Sequence, residues 1–153
     1  MMTLTGTQMG QLVAQFFLAG AGTLSFAVLF ACPRRTLPCC ALVGAVGWFV
    51  YELAVLYGAD AAAASLIAVI PLSLAARICA VLLKTPVTVF LLTGIFPLVP
   101  GAGIYHTAYA LVSRNMEAFT LRGMQTLALA GAIALGILIG MGFPKLLVEA
   151  GGR

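Results

Sequence analysis

The sequence has few charged residues and very little that could perform acid–base chemistry. Its 153 residues include only eight Lys and Arg, four Asp and Glu, and one His, so 8% of the chain is charged. A soluble domain usually carries about a quarter charged residues, because they must cover its surface. This scarcity excludes a water-exposed globule. The formal net charge of +4, scattered along the chain, also argues against nucleic-acid binding.

Catalytic and cofactor-binding patterns are missing as well. No Ser/His/Asp set, metal-ligand cluster or phosphate-binding loop occurs, and no two acids share a plausible site. The four cysteines have no C-x-x-C spacing and lie in or beside apolar runs, where cysteine behaves as a small hydrophobic residue. They are Cys32, Cys39, Cys40 and Cys79. We therefore expect no enzymatic activity, no cofactor and no metal site.

Long apolar runs dominate what is present. The chain is 63% hydrophobic, with a mean hydropathy of +1.14. Runs of this length can satisfy their backbone groups in a bilayer only as helices. The predicted fold class is an all-α integral membrane protein with one transmembrane domain over residues 1–153 and about five spans, the fourth broken at a Pro/Gly motif. The predicted spans are residues 11–31, 39–57, 61–83, 87–112 with a break at 97–101, and 124–143.

The short loops predict the orientation in the membrane. Arg34 and Arg35 lie in the first loop and Lys84 in the third, so the positive-inside rule puts both loops in the cytoplasm and the N-terminus outside. The stretch before Gln15 has no Lys or Arg, so we expect the first segment to remain as a span and not to be a cleaved signal. If the fourth segment crosses once, the polar connection 113–123 lies outside; a hairpin-shaped fourth segment would put it inside.

The break in the fourth segment is the main candidate site. Pro97 and Pro100 remove two backbone donors, and Gly101 and Gly103 allow the backbone to approach a ligand closely. Val87 lies ten residues before Pro97, about 15 Å of helix, which predicts a break near the middle of the hydrocarbon core. Many transporters hold substrate at such breaks, and a resumed half-helix directs free N–H groups at a carboxylate. The alternative is a proline kink packed by neighbouring helices.

Polar side chains follow the break. Tyr105 and Tyr109 share a helix face, with His106 beside them, and these groups are candidates for binding a polar ligand. His106 could titrate in a proton-coupled cycle. Tyrosines in the outer half of a span are also typical of the interfacial aromatic belt. Both interpretations stay open.

Two ionisable residues lie deepest within apolar spans. Arg77 is seven residues from Lys84, and Glu52 is six residues from Gly58 at the opposite membrane face. Arg77 is therefore a candidate substrate-binding residue, and both side chains could line a pathway. Alternatively, each side chain extends toward the nearer headgroups.

Small residues recur every four positions in the fifth segment. This stripe consists of Ala128, Ala132, Gly136 and Gly140. A face this smooth allows close helix packing. The sequence leaves open whether it meets another span of this chain or a second subunit.

Several motifs resemble the threonine/serine exporter (ThrE) family, specifically its small YjjB-like subunit, over about residues 26–143. They are Phe26-Ala27-Val28-Leu29-Phe30, Pro33-Arg34-Arg35, Gly44 to Gly47-Trp48, Lys84-Thr85-Pro86, and Ile95-Phe96-Pro97-Leu98-Val99-Pro100-Gly101 with Tyr105. The segment at 97–101 is the most specific. Of the candidate site residues, only Pro97, Pro100, Gly101 and Tyr105 fall on the family's motif.

The resemblance implies an exporter of small amino or carboxylic acids in a bacterial cytoplasmic membrane. Family members are fused chains of about ten spans or two separate proteins, and this chain is too short for the fused form. A YjjP-like second subunit is therefore expected. Serine, threonine and dicarboxylates such as succinate are all family substrates. The resulting hypothesis is one subunit of a two-component secondary exporter driven by the proton gradient; the alternatives are a non-transporting scaffold or assembly protein and a homo-oligomeric channel.

Overall fold

The computed structural model describes the backbone of residues 6–151 and the side-chain surroundings of residues 9–142. Within these ranges the chain is helical, with no β-strand. The elements are α1 (Gly6–Leu29), α2 (Leu37–Leu56), α3 (Ala61–Leu83), α4 (Val87–Ile95), the 3₁₀ turn η1 (Phe96–Leu98), α5 (Gly101–Val112) and α6 (Met116–Gly151).

Four stretches are long and apolar enough to cross a bilayer. They are Met9–Leu29, Leu37–Leu56, Ala61–Leu83 and Met116–Gly142. A fifth span forms if Val87–Leu98 and Gly101–Val112 are taken as one segment, bent by 57° at the break. The all-α membrane fold with a broken fourth span is thus confirmed.

Local sequence signals set the ends of α3. The Asp60 side chain accepts a hydrogen bond from the backbone N–H of Ala62 at 3.3 Å, which caps the helix N-terminus. Gly58 has a φ of +89°, a conformation that glycine adopts without steric cost and that lets the chain turn from α2 into α3. The boundaries predicted for this span match the helix observed.

The core lies where α2, α3 and α4 meet. Val43, Leu72 and Phe90 are all fully buried there. Gly47 is required for this packing, because a Cβ at that position would collide with the Leu72 side chain. α1 joins the core at the break, where the ring centroids of Phe26 and Phe96 are 4.0 Å apart. The broken span is therefore held by aromatic packing on its α1 side.

The relative directions of the helices favour a single crossing by the fourth span over a hairpin. Gly136 of α6 lies against Val69 of α3, and Gly140 lies one turn further along both helices against Ser73, so α3 and α6 run parallel. Because α3 and α6 run in the same direction, α6 begins at the end of the bundle where α3 begins. α4 and α5 together must therefore carry the chain back across the bundle from the end of α3. The hairpin alternative would need a reversal at the break, and the 57° bend is far smaller than that.

The same contacts decide what the small-residue stripe meets. A Cβ at Gly136 would lie 2.9 Å from the Val69 Cβ, and one at Gly140 would lie 2.6 Å from the Ser73 Cβ. Ala132 is also buried, whereas Ala128 faces the cleft described below. Most of the stripe therefore packs inside this chain, because glycine is the side chain that permits this backbone separation.

One predicted boundary differs from the structure. The connection expected over residues 113–123 is limited to 113–115, and α6 starts at Met116. Asn115 caps it, since its side-chain oxygen accepts the Ala118 backbone N–H at 3.0 Å, and Glu117 places a negative charge in the first turn. The polar residues of this stretch thus belong to a capped helix.

Candidate functional site

A cleft of about 610 Å³ lies beside the break, between α2, α3 and α6. It occupies the end of the bundle that carries the α2–α3 connection. Its lining combines the break with polar residues of three helices: Trp48, Tyr51, Asp60, Ala61, Ala62, Ser65, Pro97, Leu98, Val99, Pro100, Gly103, Arg122, Gln125, Thr126, Ala128 and Leu129. A volume of this order suits a small metabolite.

The break contributes unwound backbone and the start of a helix to the cleft wall. Val99 is extended, with φ −63° and ψ 132°, and Pro100 precedes the first residue of α5. The first N–H groups of a helix have no intrahelical partner, and they carry the positive end of the helix dipole. Because Pro100 and Gly103 line the cleft, the first turn of α5 lies at its wall. This turn favours an anionic group.

Gly103 sets the separation between α5 and α6 at the cleft. A Cβ at this position would lie 2.6 Å from Thr126 Oγ1, whose hydroxyl already donates to the Arg122 carbonyl at 2.7 Å. Gly103 therefore allows a close approach that a larger residue would prevent. Gly101, two residues earlier, has nothing within 4 Å of the corresponding point.

We expect Gly103→Val to push α5 and α6 apart, because overpacking a tight contact displaces backbone. Binding or transport of the substrate should fall several-fold as a result. Gly131→Val is the control, because Gly131 lies outside the cleft lining and has nothing within 4 Å of an added Cβ. The check is binding or transport of the substrate by the two variants at equal expression. Equal losses in both variants would show that the close contact between α5 and α6 at Gly103 has no special role.

The polar residues of the cleft include an acid, a base and an unpaired hydroxyl. Asp60 and Arg122 both line it, and no ion pair joins them within the part of the chain that the structure describes. Ser65 is 1% exposed, and its Oγ has no hydrogen-bond partner among the described residues. A buried hydroxyl without a partner costs free energy, and a Ser65 side chain turned toward the cleft would recover that cost by bonding a ligand. The cleft is thus suited to a ligand that carries both charges and a hydrogen-bonding group.

Trp48 and Tyr51 form the aromatic side of the cleft on α2. Their ring centroids are 5.3 Å apart. The indole Nε1 of Trp48 donates to Gln15 Oε1 of α1 at 2.8 Å, which fixes the ring against the first helix. Trp48 and Pro97 also line a second cavity of about 380 Å³ on the α1 side. These two side chains therefore separate the cleft from the α1 surface.

Residues 15–142 match the family model for the threonine/serine exporter, ThrE. The chain belongs to the threonine/serine exporter family. The matched residues include the broken fourth span and the polar residues that line the cleft beside it. No solved structure matches the chain. Together with the apolar helices, the family shows that this is a multi-pass membrane protein of a transporter family that acts on amino acids.

In this exporter-family chain, three of the predicted site residues come together in the cleft. Pro97, Pro100 and Gly103 line it, and Gly101 starts α5 at its edge with open space around it. Their role in binding stays a prediction. The structure adds the residues that share the cleft with them. Polar side chains of α3 and α6 line the same cleft, in addition to apolar ones.

Four other predicted residues lie elsewhere. Tyr105 and Tyr109 stack on each other at 6.3 Å and are more than 60% exposed, with the His106 ring 5.3 Å from Tyr105. None of the three lines the cleft. Arg77 donates from a guanidinium nitrogen to the Met141 carbonyl of α6 at 3.2 Å, also away from the cleft. Their proposed contacts with substrate therefore depend on an arrangement other than this cleft.

Sequence reasoning missed much of the cleft. The cleft residues not proposed from the sequence include Trp48, Tyr51, Asp60, Ser65, Arg122, Gln125 and Thr126. Asp60 stands out in the sequence as the acid between two apolar runs. A helix cap explains an acid at that position as well as a binding site does. Arg122 and Gln125 were assigned to a loop and to the edge of a span. Arg122 and Gln125 are three residues apart, so a helix over this stretch would have placed their side chains near each other.

Proposed function

We propose that this chain is the membrane subunit of a two-component secondary exporter and that the cleft beside the break binds an amino acid such as threonine or serine. One observation carries the proposal most: a broken membrane helix opens into a cleft that holds one acid, one base and a buried hydroxyl without a partner. Broken helices beside polar cavities are the usual setting of substrate sites in secondary transporters.

The substrate carboxylate binds between Arg122 and the first turn of α5. A guanidinium donates two parallel hydrogen bonds to a carboxylate, and the free N–H groups of a helix N-terminus add a positive partial charge. Both features lie on the wall of the same cleft. The Gly101 N–H already donates to the Val99 carbonyl at 2.7 Å, so the donors offered to the carboxylate are the N–H groups of Ala102 and Gly103.

The substrate ammonium group binds Asp60, and its hydroxyl binds Ser65. A dicarboxylate would bring its second carboxylate toward Asp60, and like charges at short range repel. An amino-acid zwitterion instead pairs each of its charges with an opposite one. The composition of the cleft thus favours threonine and serine over succinate as the substrate.

A second subunit closes the cleft. Asp60, Arg122 and Gln125 are exposed in this chain. Charged side chains are costly against lipid tails, so they call for a protein surface or a water-filled path beside them. A YjjP-like subunit packed against α5 and α6 would supply that surface. This agrees with the resemblance to the half-length members of the family.

The proposed orientation puts the cleft end of the bundle outside a bacterial inner membrane. Arg34, Arg35 and Lys84 lie in the α1–α2 and α3–α4 connections, which are at the opposite end of the bundle from Asp60. Positive residues favour the cytoplasmic side, so the N-terminus lies outside. Export is then driven by protons entering as the amino acid leaves.

The test is efflux of radiolabelled threonine, serine and succinate from cells that co-express the chain and the second subunit. We expect threonine and serine to leave and succinate to be retained. A Pro97→Ala/Pro100→Ala variant, which restores two backbone donors and straightens the break, should lose most of the efflux and still insert. Full efflux in that variant would contradict the site, and no efflux of any of the three compounds would favour the scaffold alternative.

A further inference from the structure

A second polar pocket lies between α1 and α2, separate from the cleft. It measures about 140 Å³ and is lined by Gln11, Leu12, Gln15, Glu52, Val55 and Leu56. Glu52 is half-buried there and has no ion-pair partner among the described residues. An unpaired carboxylate in a membrane span is costly, and such residues are commonly part of proton or ion pathways. The pocket therefore needs an explanation beyond helix packing.

Hydrogen-bond chemistry fixes which atom of the Gln15 amide bonds Trp48. The indole N–H of Trp48 is a donor only, so it must bond the oxygen of the Gln15 amide, as observed at 2.8 Å. The NH₂ group of Gln15 is left to donate. Glu52 and Gln11 line the same pocket as Gln15, and no hydrogen bond joins Gln15 to Glu52 among the described residues.

This arrangement connects Glu52 to the substrate cleft through two residues. Gln15 touches both the pocket and Trp48, and Trp48 lines the cleft. A negative charge on Glu52 favours the Gln15 orientation in which the NH₂ group points toward the carboxylate and the oxygen toward the indole. A protonated Glu52 is neutral and attracts the Gln15 NH₂ group less. The hydrogen bond that the Gln15 oxygen accepts from Trp48 is then weaker.

We propose that Glu52 is the proton-binding group that couples export to the proton gradient, acting on the cleft through Gln15 and Trp48. The inference rests on the proposed export function. One proton passes from hydronium in outside water to the Glu52 carboxylate, leaving water and a neutral acid, and later passes to cytoplasmic water as the carboxylate reforms. No redox or covalent step is involved.

Glu52 is the one ionisable side chain among the described residues that line the pocket. α1 contributes no ionisable side chain to the pocket, since Gly6–Leu29 contains none. On α2 the adjacent titratable residue is Tyr51, which lines the cleft. Asp60, the next acid along the sequence, lines the cleft and not this pocket.

The experiment compares two modes of transport in proteoliposomes that hold the full chain with its second subunit. Exchange of labelled for unlabelled threonine needs no gradient, whereas export against a concentration difference needs one. We expect Glu52→Gln to lose at least tenfold in export driven by a pH gradient and to keep exchange within about twofold. Glu52→Asp should restore part of the driven export, and Gln15→Leu should resemble Glu52→Gln.

Glu117→Gln is the matched control, because Glu117 is an exposed acid that lines neither the cleft nor the pocket. It should keep both modes. Driven export by Glu52→Gln at the unaltered rate would overturn the inference, as would loss of exchange together with driven export, or dependence on a sodium gradient. Absence of all transport by the unaltered proteins would instead contradict the proposed function itself.

Discussion

Replacing Arg122 by Gln is expected to reduce threonine efflux at least tenfold. Arg122 is the cation on the wall of the cleft, and charge-assisted hydrogen bonds to a carboxylate contribute about 1.5–3 kcal/mol, which corresponds to roughly tenfold to a hundredfold in binding. Gln keeps an N–H donor on a shorter side chain and removes the charge. The measurement is the initial rate of threonine efflux over a range of internal concentrations, so that affinity and maximal rate are separated.

Two further variants make the Arg122 result specific. Arg114→Gln removes a cation of the 113–115 connection that does not line the cleft, and it should keep normal efflux. Arg122→Lys keeps the charge without the fork of parallel donors, so an intermediate rate is expected. If Arg114→Gln and Arg122→Gln lose efflux equally, Arg122 acts through general charge and not through the cleft.

Replacing Gly140 by Leu should destabilise the protein more than any other single change discussed above. The added Cβ would lie 2.6 Å from the Ser73 Cβ and 3.0 Å from the Ile70 carbonyl oxygen, so backbone as well as side chain must move. Overpacking of this kind costs about 3 kcal/mol. For a chain of this size that corresponds to a fall of roughly 10 °C in the melting temperature.

Gly142 is the matched control for Gly140. It lies in the same helix two residues later and has nothing within 4 Å of an added Cβ. Gly142→Leu should therefore melt near the temperature of the unaltered protein. The measurement is the thermal loss of the monodisperse peak in detergent size-exclusion chromatography. Similar melting of both variants would mean that the α3–α6 contact is looser than described.

The parts of the fold that the sequence predicted well depend on local physics. The limits of α3 follow from an Asp60 cap and an apolar run, and the break follows from Pro97 and Pro100, which cannot donate backbone hydrogen bonds. These signals lie next to the structure they determine. The start of α6 was wrong because polar residues were interpreted as a loop, although Asn115 and Glu117 form a helix start.

The cleft could not be predicted in the same way, because its polar residues are far apart in sequence. Asp60 and Ser65 come from α3, and Arg122 comes from α6. They meet only because α3 and α6 run parallel, and that direction follows from α4 and α5 together carrying the chain once across the bundle. Hydropathy along the chain carries no information on which polar residues face each other after such packing. The tyrosines after the break illustrate the reverse case: they are near the break in sequence and away from the cleft in space.

The parallel packing of α3 and α6 also has a mechanical consequence for the cleft. The Gly136 and Gly140 contacts fasten the C-terminal half of α6 to α3, whereas α5 packs mainly against the N-terminal half of α6 and against no other helix to a comparable extent. The walls formed by α2 and α3 are stiff, and the wall formed by α5 is compliant. A change in the width of the cleft is therefore mainly a displacement of α5, with the Pro97–Gly101 backbone as its pivot.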